Sequence, residues 1–94
     1  MKLQIINDKE NPLLERRELV VKILHEKATP PRKEVRSKLI AELNLDKDST
    51  IVDRMLPKFG SREVIVFVKV YKTRERMLEI EDESKIKKNF EESS

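Results

Sequence analysis

One stretch, Glu63–Tyr71, constrains the fold more than any other part of the chain. If it forms a β-strand, both of its sides carry apolar residues at alternate positions, with Val64, Val66, Val68 and Val70 on one side and Ile65 and Phe67 on the other. Apolar residues on both sides are typical of a strand inside a sheet whose two faces are covered. We therefore expect a sheet built around this strand.

Three further segments, residues 2–7, 15–26 and 50–56, have the alternation or β-branched content of strands. Between the second and the third, residues 29–43 predict a helix. Thr29 suits the N-cap and Pro30 the first helical position, while Val35, Leu39 and Leu43 recur every four residues as one apolar stripe. A second helix is predicted from an N-cap at Thr73 through residue 80.

The order of these elements predicts an α+β fold. If the central helix makes a right-handed crossover between parallel strands two and three, strand four fits between them. The result is a four-stranded antiparallel sheet in the order 1-2-4-3, with the crossover helix between the two hairpins and a C-terminal helix. This order places the doubly apolar strand inside the sheet, as its sequence requires.

The charge distribution suggests one domain followed by a tail. Residues 1–78 contain 18 Lys and Arg against 12 Asp and Glu, a balance of +6, whereas residues 79–94 contain 3 against 6, a balance of −3. We interpret residues 1–82 as a single domain and residues 83–94 as an acidic, flexible C-terminal tail. A basic domain favours a polyanionic partner such as nucleic acid, although many basic proteins bind none.

Residues for catalysis or cofactor binding are scarce. The chain has one histidine, His25, no cysteine and one glycine, Gly60. A single histidine without cysteine does not make a zinc site, and a phosphate-cradling loop needs several glycines. We therefore predict no enzyme activity, no cofactor and no metal. The chain also lacks a long apolar run and a signal peptide pattern, so we expect a cytoplasmic protein with no membrane contact, monomeric when isolated.

The remaining chemical signal is a set of cations near the predicted helix start and two turns. Phosphate binding requires cations presented together, because each contact releases condensed counterions. We predict an RNA-binding set at these positions: Arg16, Arg17, Arg32, Lys33, Arg36, Lys58 and Arg62.

Two other interpretations of these residues stay open. Local ion pairs on a solvated face would account for the same pattern and contribute little. Proteins that recognise single strands normally add stacking aromatic residues, and here only Phe59 and Tyr71 could serve, which argues against base-specific recognition.

Several segments together resemble the archaeal and eukaryotic small-subunit ribosomal protein S24e family. They are NPLLERRE at residues 11–18, His25, TPPRKEVR at residues 29–36, Leu39, the Phe59-Gly60 turn and the Val70-Tyr71 strand end. The resemblance covers about residues 3–82. It implies a structural ribosomal protein with an α+β fold, partnered by small-subunit rRNA and neighbouring ribosomal proteins and acting in translation.

The chain departs from the family pattern in two places. Ser61, Arg62 and Glu63 stand where the family usually has several glycines, so this loop's RNA contact is in question. An acidic tail also replaces the long basic extension of eukaryotic members, which indicates an archaeal-type, short protein. The alternative function is a non-ribosomal protein-interaction module that uses a sheet edge or the C-terminal helix.

Overall fold

A computed structural model of the protein describes residues 2–26, 28–58 and 60–90. Within these residues the elements follow in the order β1 (Lys2–Asn11), β2 (Arg16–Leu24), α1 (Arg32–Leu43), β3 (Thr50–Pro57), β4 (Glu63–Tyr71), α2 (Arg74–Ile80) and α3 (Glu83–Phe90). The strands form one antiparallel sheet in the order β1-β2-β4-β3. This confirms the predicted α+β class, the strand order and the crossover helix.

The main core lies between α1 and one face of the sheet. Alternate residues of the two inner strands, β2 and β4, point to this face because the side-chain period of a strand is two. They pack against Val35 and Leu39, which lie on one side of α1 because they are four residues apart. The buried strand residues on this face are Leu19, Val21, Ile23, Val52, Val64, Val66 and Val68.

The helix α1 begins two residues later than predicted. Its N-cap is Pro31, which has extended backbone angles and makes no side-chain capping bond, so Thr29 is not the cap. The reason is steric, because a residue that precedes proline is disfavoured in the helical conformation. Pro30 therefore stays outside the helix. At the other end, Asn44 adopts a left-handed conformation, with φ 53°, and its amide donates to the carbonyl of Ile40.

Two β-bulges modify the predicted alternation of the edge strands. In β1 the register shifts between Ile5 and Asn7, and in β3 it shifts between Val52 and Arg54. A bulge adds one residue to one strand, so every later side chain changes face. In β3 this puts Arg54 opposite Phe67, on the side of the sheet away from α1.

The C-terminal segment differs most from the sequence prediction. Residues 83–90, predicted to belong to a flexible tail, form α3, which lies against β3. Asn89 is 1 % exposed, and its side-chain amide accepts from the backbone N–H of Val52 at 2.7 Å and donates to the carbonyl of Val52 at 3.2 Å. This amide therefore takes the place that a neighbouring strand would occupy at the β3 edge. Residues 91–94 lie outside the described residues.

A smaller apolar cluster joins α2 and α3 to the sheet. Tyr71, Ile51 and Met77 are buried together, with Ile80 and Phe90 packed against them. Thr73 caps α2 as predicted, since its hydroxyl accepts from the amide of Arg76 at 3.2 Å. The cluster covers the end of the sheet where β4 finishes.

Candidate nucleic-acid interface

The structure divides the seven predicted cations into three groups. Four of them lie at one end of the sheet, two form ion pairs at the other end, and one is a buried residue of α1. We call the first group the basic end, and it consists of Arg32, Lys33, Lys58 and Arg62.

The strand register brings the basic end together. Leu24, the last residue of β2, pairs with Glu63, the first of β4, and the amide of His25 donates to the carbonyl of Arg62 at 2.9 Å. The turn that carries Lys58 and Arg62 therefore lies beside the end of β2. The helix α1 follows β2 and leads to the start of β3, which lies at the opposite end of the sheet. The beginning of α1 is therefore at the same end of the sheet as the β3–β4 connection.

The basic end keeps most of its positive charge. Lys58 pairs with Glu63 at 3.3 Å, but its side chain is 60 % exposed. Lys33 and Arg62 are exposed, and within residues 2–26, 28–58 and 60–90 neither has an acidic partner. Arg32 is half-buried, and its Nε atom is buried without a hydrogen-bond partner among the described residues. The three exposed cations, Lys33, Lys58 and Arg62, are therefore the ones available to an anionic partner. Phe59, which lies within this turn in the sequence, is outside the described residues.

Arg16 is held at the opposite end by protein partners. Its guanidinium contacts the carboxylate of Glu18 at 2.7 Å and donates to the Tyr71 hydroxyl at 2.9 Å. Only 13 % of the Arg16 side chain is exposed. Its charge is thus used within the protein and is a weak attractant for phosphate.

Arg17 is also paired, although it is more exposed. It forms two hydrogen bonds with Asp8, at 2.8 and 2.6 Å, across the β1–β2 hairpin. The hydrogen bonds from Arg17 hold the pKa of Asp8 below its usual value. The pair lies in the part of β1 that continues to Asn11, beyond the predicted end at residue 7, where the backbone stays paired with β2.

Arg36 is the clear departure from the predicted set. The residue is only 5 % exposed, although the sequence analysis assigned it to the phosphate-binding surface. Its guanidinium donates to the carbonyls of Thr50, at 3.3 Å, and of Lys47, and lies 4.5 Å from the centre of the Phe90 ring. Burial lowers the pKa of Arg36, but an arginine of this kind stays charged. Arg36 therefore fastens α1 to the loop before β3 and to α3.

A row of oppositely charged side chains extends from the Tyr71 hydroxyl across the sheet, and it was not predicted from the sequence. The Tyr71 hydroxyl donates to Glu81 at 2.5 Å, Lys69 lies 3.5 Å from Glu81 and 3.6 Å from Asp53, and Lys85 of α3 pairs with Asp53. Burial alone would raise the pKa of Asp53, but the two lysines lower it overall. These groups compensate one another, so the cluster is a structural joint between the sheet and the C-terminal helices.

The ionisation of Tyr71 gives a direct test of this cluster. Burial and the hydrogen bond to Glu81 raise its pKa from 10.0 to about 12. Tyr71 is the only tyrosine, so the ultraviolet absorbance of tyrosinate reports on it alone. We expect a midpoint near pH 12 in the folded protein. Because the unfolded chain ionises near 10, stability should be retained below pH 10 and fall as the pH rises through the folded value.

The matched variant for this titration is Glu81→Gln. It removes the negative charge but leaves the ring buried, so the midpoint should move back towards the ordinary tyrosine value without reaching it. A parent midpoint close to 10 would mean that the Tyr71–Glu81 contact is absent in solution.

Comparison with known proteins identifies the family. The family model described as ribosomal protein S24e matches residues 1–90. The chain belongs to this family. The membership confirms the predicted resemblance and the prediction of a structural ribosomal protein rather than an enzyme. In the described residues no helix is long and apolar enough to span a membrane.

The S24e relatives named "Small ribosomal subunit protein eS24" include several archaeal proteins. The chain is 44 % identical to that of Methanothermobacter thermautotrophicus over 99 % of its own length and 94 % of the relative. It is 42 % identical to that of Methanobrevibacter smithii, over 99 % and 92 %, and 38 % identical to that of Methanopyrus kandleri, over 95 % and 78 %. These matches support the predicted archaeal type.

This S24e chain carries one further cation that the sequence analysis did not single out. Arg54 is exposed and lies over the ring of Phe67, with its Cζ atom 4.4 Å from the ring centre. The β3 bulge puts the two residues opposite each other. A bulge depends on the whole strand pairing, so no local sequence signal marks this contact.

Proposed function

We propose that the protein is a structural component of the small ribosomal subunit that binds rRNA through the basic end and acts in translation in the cytoplasm. Family membership supports the ribosomal role. The observation that carries the RNA contact is the exposed, largely uncompensated charge of Lys33, Lys58 and Arg62 at one end of the sheet. Phosphate oxygens are the natural partners of such a group of cations.

The protein's own structure gives the other predicted cations smaller roles. Arg16 and Arg17 would have to exchange carboxylate partners for phosphate, at a cost in lost ion pairs. Arg36 has no route to phosphate without disruption of the core. The rRNA contact we propose therefore uses Lys33, Lys58 and Arg62, with Arg32 at its border.

Neighbouring ribosomal proteins are the second class of partner that we propose. The β1 strand is an edge of the sheet and is exposed along most of its length, including Ile5 at 42 % and Ile6 at 53 %. An uncovered edge offers backbone hydrogen bonds to an extended segment of another chain. We propose a monomer in the absence of such partners.

A salt titration of binding to small-subunit rRNA tests the RNA contact. The variant Lys33→Gln, Lys58→Gln and Arg62→Gln removes three exposed charges. We expect it to fold like the parent but to bind more weakly. The log–log slope of affinity against salt should shrink by up to about three, roughly one for each lost phosphate contact.

The control removes three exposed cations from elsewhere, by Lys47→Gln, Lys72→Gln and Lys87→Gln. These residues lie near the opposite end of the sheet or on α3. Their loss should change the slope by less than about one. Equal slopes for the parent and the basic-end variant would refute the proposed site.

A further inference from the structure

The face of the sheet opposite α1 is partly open. The helices α2 and α3 cover it near Tyr71 and Ile51, whereas the rest of the face keeps apolar side chains in contact with solvent. Leu24 is 39 % exposed and Leu56 is 47 % exposed. Half-buried residues lie between them on the inner strands, and we call these five the open face: Val20, Leu24, Leu56, Ile65 and Phe67.

The β3 bulge directs a cation onto the open face. Arg54 pairs with Phe67 across the strands, and Asp53 is the extra residue of the bulge. Without the extra residue, the alternation of β3 would turn Arg54 towards the core beneath α1. Bulges commonly re-aim a side chain in this way at functional positions. The bulge thus places an arginine over Phe67, the aromatic residue of the open face.

The geometry of the pair leaves the arginine free to bind. The guanidinium lies 4.4 Å from the ring centre of Phe67, which holds its carbon stem down on the sheet. Within the parts of the chain that the structure describes, the Arg54 guanidinium makes no hydrogen bond or ion pair. Its N–H donors and its outer surface are therefore open to a ligand.

The surroundings of the pair favour an anionic ligand with a flat group. Lys22 lies on the same face, in the cross-strand pair next to that of Phe67. Lys22 and Lys58 both pair with Glu63, so two positive charges face one negative charge here. A depression of about 420 Å³ borders Phe67. Arg16 and Lys69 in its lining are paired with Glu18 and Asp53, which line it too, so these two cations add no free charge and the depression adds room for a planar group. This volume is within the usual range for small-molecule sites. A nucleotide has both the phosphate charge and the planar base that such a surface receives.

We propose that Arg54 and Phe67 form a binding site for an unpaired nucleotide of RNA, whose base stacks on this pair. Bases that are not in duplexes stack on aromatic rings and on guanidinium planes alike. The inference rests on the proposed rRNA-binding function and adds to it a second contact, away from the basic end. It also revises the sequence-based expectation that only Phe59 and Tyr71 could stack, since Tyr71 is 2 % exposed.

The probes are single-stranded oligoadenylate and an RNA duplex of matched length. The test variant, Arg54→Lys with Phe67→Leu, keeps the charge and the apolar character but removes both stacking surfaces. We expect its affinity for oligoadenylate to fall by at least about fivefold, the lower end of what stacking of one base contributes. Duplex affinity should stay within about twofold, because phosphate attraction is unchanged.

Arg74→Lys is the matched control. Arg74 also lies over an aromatic ring, that of Phe90 at 5.1 Å, but beside α3 rather than on the open face. This variant should bind both probes like the parent. An equal loss in the control and the test variant would overturn the proposal, because it would show a general effect of arginine removal.

A measurement on the parent protein does not depend on the folding of a variant. Addition of oligoadenylate should shift the aromatic resonances of Phe67 and the Nε resonance of Arg54 in NMR spectra. Unmoved resonances would overturn the site. If the basic-end variant shows the expected smaller slope of affinity against salt while these resonances do not move, the proposed function stands and only the nucleotide site is refuted.

Discussion

Replacing Val66 by aspartate is expected to unfold the protein. Val66 is 0 % exposed and lies in the inner strand β4, paired with Val21 on one side and Met55 on the other. A carboxylate there would be placed among apolar core residues and would lose most of its hydration. We expect a loss of more than about 4 kcal/mol, a large part of the roughly 5–15 kcal/mol that stabilises a small domain.

The neighbouring residue provides a matched control. Ile65→Asp places the same charge one position earlier in β4, on the open face, where the side chain is only half-buried. Denaturant unfolding followed by circular dichroism should show a cooperative transition for this variant and little or none for Val66→Asp. Similar stabilities for the two variants would contradict the assignment of the two faces of β4.

Arg36→Ala is expected to cost roughly 2–4 kcal/mol, because hydrogen bonds to a charged group contribute about 1.5–3 kcal/mol each. The carbonyls of Thr50 and Lys47 would lose their donor, and the ring of Phe90 would lose the group beneath it. Alanine is too short to fill the space left behind. The free energy of unfolding from urea titrations measures this loss.

Lys33→Ala is the control for the loss of a cation from the same helix. Lys33 is exposed and has no ion pair with the described residues, so its replacement should change stability by less than about 0.5 kcal/mol. If Arg36→Ala were as mild as this control, Arg36 would be a surface residue after all. It would then return to the set of candidate phosphate contacts.

The parts of the fold that the sequence predicted are those in which side-chain period decides the structure. The alternation in β4 required an inner strand, and the four-residue spacing of Val35 and Leu39 fixed the buried side of α1. Together with the handedness of crossovers they led to the strand order. Local capping rules also located the start of α2 at Thr73.

The parts that were missed depend on tertiary partners. The sequence of α3 is mostly charged, and its anchoring residues, Lys85, Asn89 and Phe90, gain their role only from β3 and Arg36. Arg36 resembles its exposed neighbours until the loop carbonyls of Lys47 and Thr50 surround it. The bulge in β3 also depends on a tertiary partner, because its position is set by the pairing with β4. The sequence of β3 alone therefore does not show that the residues after the bulge change face.

The most direct measurement of the central claim is sedimentation of the native protein in a lysate. A structural component of the small subunit should travel with small ribosomal subunits through a sucrose gradient at low salt. It should be released as salt weakens its phosphate contacts. A protein that stays at the top of the gradient at low salt, apart from the small subunits, would contradict the account.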